Sequence, residues 1–182
     1  MLSAQLHALL HLFQVSVESW GAGEAKTVDD LLGEIAEGEC YLRVDQSGIT
    51  RVIEVAKLHI LQALYRNRGY LIEVSECPPG RGLSKKDDHP SETLKRGETA
   101  MQAAIRGVKE ELSVGRDYIH SMGLMSLEIE PRPSKSYPNL TCIYVLHHIE
   151  VILLNSVQIC HQRKFETMEP DGTVHQWRWQ CF

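Results

Sequence analysis

The sequence lacks several things that would each set a function class. No apolar run approaches the ~20 residues needed to span a bilayer. The longest candidates, Leu6 to Phe13 and Ile149 to Leu154, are interrupted or short. No Lys or Arg precedes the first apolar stretch, so neither a signal peptide nor an Arg-rich transit peptide is expected. A basic surplus is also missing. Lys plus Arg is 19 against 24 Asp plus Glu, a formal charge of −5. A domain built to coat nucleic-acid phosphates carries the opposite balance, so no extended nucleic-acid binding is expected. A nucleotide-sized ligand is still allowed. Cys40, Cys77, Cys142, Cys160 and Cys181 are odd in number and form no C-x-x-C pair. That predicts reduced thiols and an intracellular, reducing compartment, the cytoplasm first. There is no internal repeat and no low-complexity tract.

What is present is ordinary for a globular chain: 43% hydrophobic and 24% charged residues over a length of 182. The length suits a domain of ~150 residues plus an extension. Leu2, Leu6, Leu9, Leu10 and Phe13 fall at helical spacing. Phe13, Val15 and Val17 then alternate with polar residues and predict a strand. Thr27 reads as the N-cap of a second helix that buries Leu31, Leu32 and Ile35 and stops at Gly38. Strands are expected at Cys40 to Val44, Arg51 to Leu61, Tyr70 to Val74, Leu124 to Glu130, Thr141 to Leu153 and Val174 to Gln180. Cys77 to Lys95, rich in Pro, Gly and charge, reads as one long irregular loop. A helix follows from about Gly97 to Leu112. The fold class is α+β or mixed α/β, with six to eight strands and few helices.

The third helix carries the chemistry. At 100° per residue, Met101, Ala104, Ile105, Val108 and Leu112 form one face for the core. Gly107, Glu110 and Glu111 gather on the other side, which the wheel assigns to solvent. Arg106 stands one turn before Glu110, within salt-bridge reach. Neighbouring carboxylates after a Gly/Pro-rich loop make Glu110 and Glu111 a candidate Mg²⁺ site, because that ion takes oxygen ligands and needs only one or two carboxylates beside substrate phosphates. Periodicity alone favours a plainer reading, a solvated helix face with an ordinary Arg106–Glu110 pair.

The segment Glu92 to Val114 resembles the Nudix box. That pattern is Gly, five residues, Glu, seven residues, then Arg-Glu-apolar-any-Glu-Glu-any-Gly-apolar. Glu98 stands at the first Glu, Arg106 follows after seven residues, and Val108, Glu110, Glu111 and Val114 fill their positions. Three positions depart from it. The opening Gly is Glu92, the Glu after the Arg is Gly107, and the second Gly is Ser113. The resemblance implies a Nudix-like mixed β-sheet sandwich over residues 51–182, with residues 1–50 as an N-terminal helix–strand extension packed on it. It implies hydrolysis of a nucleoside diphosphate-linked substrate with Mg²⁺ or Mn²⁺. Glu98, Arg106, Glu110 and Glu111 would be the catalytic residues, with Glu110 and Glu111 on the metal. Gly107 removes the central ligand of that set. Asp87, Asp88, Glu92, Glu128 or Glu130 could replace it. Arg81, Lys85 and Lys86 are the candidates for phosphate, against a plainer reading as a solvated loop.

Near the end, His175, Trp177, Trp179 and Cys181 alternate on one face, which suits a half-buried strand better than an exposed aromatic platform. His147 and His148 project to opposite faces, so one is expected to be buried and hydrogen-bonded rather than half of a metal pair. Two functions follow. One is a Mg²⁺-dependent Nudix hydrolase with an atypical site. The other is a non-catalytic or weakly active Nudix-fold protein that binds a nucleotide, a phosphate or a protein partner, as a homo-oligomer or a subunit of an assembly. The lost carboxylate favours the second.

Overall fold

Three helices and nine strands form in a computed structural model that describes residues 2–63, 69–80, 82–169 and 171–180. Helix α1 spans Ser3–Leu12, α2 spans Val28–Glu37 and α3 spans Ala100–Leu112. The strands are β1 (Tyr41–Asp45), β2 (Gly48–Gln62), β3 (Tyr70–Cys77), β4 (Ser84–Asp88), β5 (Ser91–Thr93), β6 (Ile119–Pro133), β7 (Thr141–Leu153), β8 (Lys164–Met168) and β9 (Val174–Gln180). One sheet runs β1-β2-β7-β6, with β5 also paired to β2; the other runs β4-β3-β9-β8. The class is α+β, as the mixture of long strands and few helices predicts. No helix among the described residues is long and apolar enough to cross a membrane.

The chain divides into two compact units. The first holds Met1–Val55, Thr93–Glu98 and Leu127–Leu146; the second holds Ala56–Glu92, Thr99–Ser126 and His147–Phe182. The division does not follow chain order, and the boundary after residue 50 falls inside β2. In the first unit, Leu6 and Leu10 of α1 and Val28 and Leu31 of α2 share one apolar cluster with Ile49, Ile53, Tyr137, Leu140 and Cys142. Burial of such side chains stabilises each by about 1.5–3 kcal/mol. Helix α2 starts where Thr27 Oγ1 accepts the Asp30 N–H at 3.1 Å. It stops at Gly38, whose φ of +80° and whose contact with the Arg96 backbone leave no room for a side chain. Arg51 is buried in this unit and held by Glu34 at 2.6 Å.

Several expectations change. Phe13 to Glu18 is not a strand. Gln14 takes a left-handed φ of +56°, and Val15 N–H returns to the Leu10 carbonyl. Phe13, Val15 and Val17 still pack against the apolar cluster, so their alternation reports burial without sheet pairing. The stretch from Cys77 to Lys95 is not one loop, since β4 and β5 form within it. Strand β4 is Ser-Lys-Lys-Asp-Asp, exposed throughout and at a sheet edge, so it carries no hydrophobic alternation. Strand β8 was not predicted; only Phe165 in it is buried. His148 Nδ1 lies 2.9 Å from His59 Nε2, and His147 and His148 are both half-buried. Cys181 lies outside the described residues; the other four cysteines are free.

Candidate functional site

Helix α3 is fixed at its start by a capping box. Thr99 Oγ1 accepts the Gln102 N–H at 3.3 Å, and Gln102 Oε1 accepts the Thr99 N–H at 2.8 Å. At its end Ser113 takes a left-handed φ of +57°. Ala104, Val108 and Leu112 are buried, as the wheel requires. The other side of the helix is a correction: Gly107 and Glu111 do not face solvent but are buried too. Ala103 and Gly107 are small enough to let the helix approach its neighbours closely. A Cβ at Gly107 would stand 3.1 Å from Glu92 Cβ and 3.4 Å from Leu58 Cδ1. The two positions where the box departs from its pattern, Glu92 and Gly107, are therefore in contact. Glycine and glutamate have exchanged places across that contact, and this explains how a glycine is tolerated inside the helix.

Glu92 is tied to the box arginine. Arg106 Nη1 lies 2.8 Å from Glu92 Oε1 and 3.3 Å from Glu110 Oε2. Glu110 itself is 42% exposed along its side chain. Glu111, one residue on, is only 9% exposed, and its Oε2 is buried without a hydrogen-bond partner. Burial, then the charges of Glu73, Glu92 and Glu169, push its carboxyl up to about 8, against a partial counter-effect of His175. Glu111 is thus protonated at neutral pH.

Glu111 faces a group that the sequence did not reveal. His175 on β9 has both ring nitrogens engaged, Nδ1 with Glu73 Oε1 and Nε2 with Glu169 Oε1, each at 2.7 Å. Burial alone would lower the imidazole, but the Glu73 and Glu169 carboxylates outweigh it and raise it to about 9. Lys86 Nζ sits 2.5 Å from Glu76 Oε2 and 3.3 Å from Glu73 Oε2. Burial opposes the Lys86 charge, and the same two carboxylates restore it and raise the lysine. Two residues three apart on a regular strand point to opposite faces. Strand β3 shifts register between Glu73 and Ser75 against both β4 and β9, and this bulge turns Glu73 and Glu76 toward a common partner. No local pattern signals this grouping, because strand register, not sequence proximity, brings residues about a hundred positions apart together.

The remaining expected site residues are dispersed. Glu98 belongs to the first unit, outside α3, and accepts the Lys95 N–H at 3.0 Å. Arg81 lies outside the described residues. Lys85 is exposed on β4. Lys86 is committed to Glu73 and Glu76 rather than held free for phosphate. Asp88 pairs with Lys57 at 2.7 Å and Asp87 with Arg178 at 3.0 Å. Glu128 and Glu130 belong to the first unit, where Glu130 pairs with Arg132. Trp177 is buried and donates its indole N–H to Thr167 Oγ1, so the aromatic face of β9 is core, not platform. Of the replacement carboxylates the sequence offered, Glu92 is the one that reaches Gly107.

No family model matches the chain, and no curated protein does. Solved structures do. An Ap4A hydrolase of C. elegans is 21% identical, with a TM-score of 0.38 over 70% of this chain and 79% of its own. A NUDIX hydrolase from Nitrosomonas europaea is 24% identical, with a TM-score of 0.36 over 57% of this chain and 62% of its own. A MutT structure from work on Aliivibrio salmonicida and Vibrio cholerae is 14% identical, with a TM-score of 0.35 over 71% and 80%. Identities and TM-scores this low say nothing about activity. These solved structures bear the name of the family, or of its members, whose box the segment Glu92 to Val114 resembles.

Proposed function

We propose that this chain is a Nudix-like domain that binds a phosphate-bearing, nucleotide-like ligand without hydrolysing it. The observation that carries this reading is the contact between Glu92 and Gly107. It places the third carboxylate of the box on β5 rather than on α3 and commits it to Arg106, which also holds Glu110. Glu111, the last of the set, is buried and protonated among other acids. A hydrolase of this kind needs ionised carboxylates open to a hydrated Mg²⁺ ion, which keeps several of its waters. The residues present do not fit that ion. A cavity of about 320 Å³, at the small end for a ligand site, offers the Lys164 and Arg178 side chains beside Phe165 and suits an anionic ligand.

A second reading has one observation in its favour. Glu92 keeps a carboxylate beside Gly107, and its charge reaches Glu111. The box has therefore lost a position and not a charge, and a weak hydrolase remains an alternative. The experiment is incubation of the full chain with a panel of nucleoside diphosphate derivatives and Mg²⁺ or Mn²⁺, alongside calorimetric binding of the same compounds. Binding without turnover, weakened by Lys164→Ala, is expected. Turnover that Glu110→Gln or Glu111→Gln abolishes would overturn the proposal in favour of the hydrolase.

A further inference from the structure

We propose that Glu73, Glu76 and His175, with Glu111 as fourth ligand, form a site for a zinc-class divalent ion that stabilises the packing of α3 on the β4-β3-β9-β8 sheet. One ligand atom from each of Glu73, Glu76 and His175 lies within 4.8 Å of the others. Zinc–oxygen and zinc–nitrogen bonds of about 2.0–2.2 Å put tetrahedral ligands about 3.4 Å apart, so the group closes on an ion with small side-chain movements. An imidazole among carboxylates selects a zinc-class ion over Mg²⁺, which prefers oxygen ligands alone.

Two further features point to an ion rather than to a chance cluster of acids. Glu111 is more than nine-tenths buried, its Oε2 has no hydrogen-bond partner, and its charge acts on Glu73 and His175. A buried carboxylate oxygen left in this state costs about 1–3 kcal/mol. An ion would satisfy it. Glu169 accepts from His175 Nε2 at 2.7 Å, which fixes the imidazole and leaves Nδ1 to face Glu73. Carboxylate–histidine–metal triads have this arrangement. The bulge in β3 serves the same end by turning both strand carboxylates toward the histidine. Lys86 stands between Glu73 and Glu76 as an internal cation, and it is partly exposed, so it can swing out as an ion enters. Four protein ligands leave no open position, which is the mark of a structural ion.

The inference is independent of the reading of the box, since a chain that binds zinc and hydrolyses nothing satisfies both. Turnover tests one and metal titration the other. The test is calorimetric titration of the full chain with Zn²⁺, with Mg²⁺ in a parallel arm, and thermal unfolding with and without zinc. One saturable Zn²⁺ site, a raised Tm and far weaker Mg²⁺ binding are expected. His175→Gln should abolish the site, and Glu169→Gln should weaken it by about 10–100-fold. Lys86→Met removes the competing cation from a partly exposed position that the fold does not need, and it should tighten zinc binding severalfold. Circular dichroism checks each variant for folding. If His175→Gln does not fold, the Lys86→Met comparison decides. Absence of zinc binding, zinc binding unchanged by His175→Gln, or affinity unmoved by Lys86→Met would each overturn the proposal.

Discussion

Replacing Gly107 by alanine should destabilise the protein, although the same change in a free helix is favourable. Alanine gains about 1 kcal/mol over glycine in a helix interior. Here its methyl group would meet Glu92 Cβ at 3.1 Å. That atom is set by the β5 backbone, which is pinned nearby by Leu58 N–H to the Pro90 carbonyl at 2.8 Å, so it cannot rotate away. Leu58 Cδ1, at 3.4 Å, is a side-chain tip and can give. Overpacking of this kind costs about 1–3 kcal/mol, which leaves Gly107→Ala about 1 kcal/mol less stable than the parent. Glu92→Gly removes the obstructing carbon. In that background the propensity gain should reappear, and Gly107→Ala should stabilise by about 1 kcal/mol. The coupling between the two positions is then about 2 kcal/mol, well above the 0.3–0.5 kcal/mol scatter of independent sites. Urea unfolding of the four proteins in the cycle measures it. An effect of Gly107→Ala that is the same in both backgrounds would refute the claim that the two residues share one space.

Stability should fall as pH rises above 7. The folded-state values of Glu111, about 8, and His175, about 9, lie above 4.5 and 6.5, their ordinary values. The folded state therefore binds protons that the unfolded state releases. The stability these groups supply is fully present below their ordinary values and is lost as pH climbs through 8 and 9. His59, lowered by burial to about 4, and His89, lowered for the same reason, act in the opposite sense below pH 7. The window from pH 7 to 9 therefore isolates the first pair. Urea midpoints should decline across it, and a flat or rising profile would contradict the arrangement. In the first unit, Arg51→Met should cost about 3 kcal/mol in urea unfolding, because it strips the buried Glu34 of a partner at 2.6 Å. Adding Glu34→Gln should recover part of that loss, and a loss below about 1 kcal/mol for the single change would mean the pair is not buried as described.

The parts of the fold legible in the sequence are those whose signals are local. Helix α2 announces itself through Thr27 and Gly38, and α3 through the stripe from Met101 to Leu112. The long strands β2 and β7 carry enough apolar residues to be read directly. Strand β4 was hidden because it is all polar and at an edge, where pairing needs no apolar face. The site was half legible. Residue spacing finds Arg106, Glu110 and Glu111, but a wheel gives angles and not neighbours. It assigned Gly107 and Glu111 to solvent, whereas packing buries both flanks of α3. Glu73, Glu169 and His175 meet through the register of β3 with β9 and a bulge, neither of which leaves a mark in the local sequence.

The central claim is that the box carboxylate has moved from position 107 to position 92 and no longer serves hydrolysis. The direct measurement is Mg²⁺-dependent turnover of nucleoside diphosphate derivatives by the parent chain and by the double exchange Glu92→Gly with Gly107→Glu. The exchange relieves the contact at 3.1 Å and returns the carboxylate to the helix. The account predicts no turnover in the parent and measurable turnover in the exchanged chain. Turnover in the parent that the exchange leaves unchanged or destroys would contradict it.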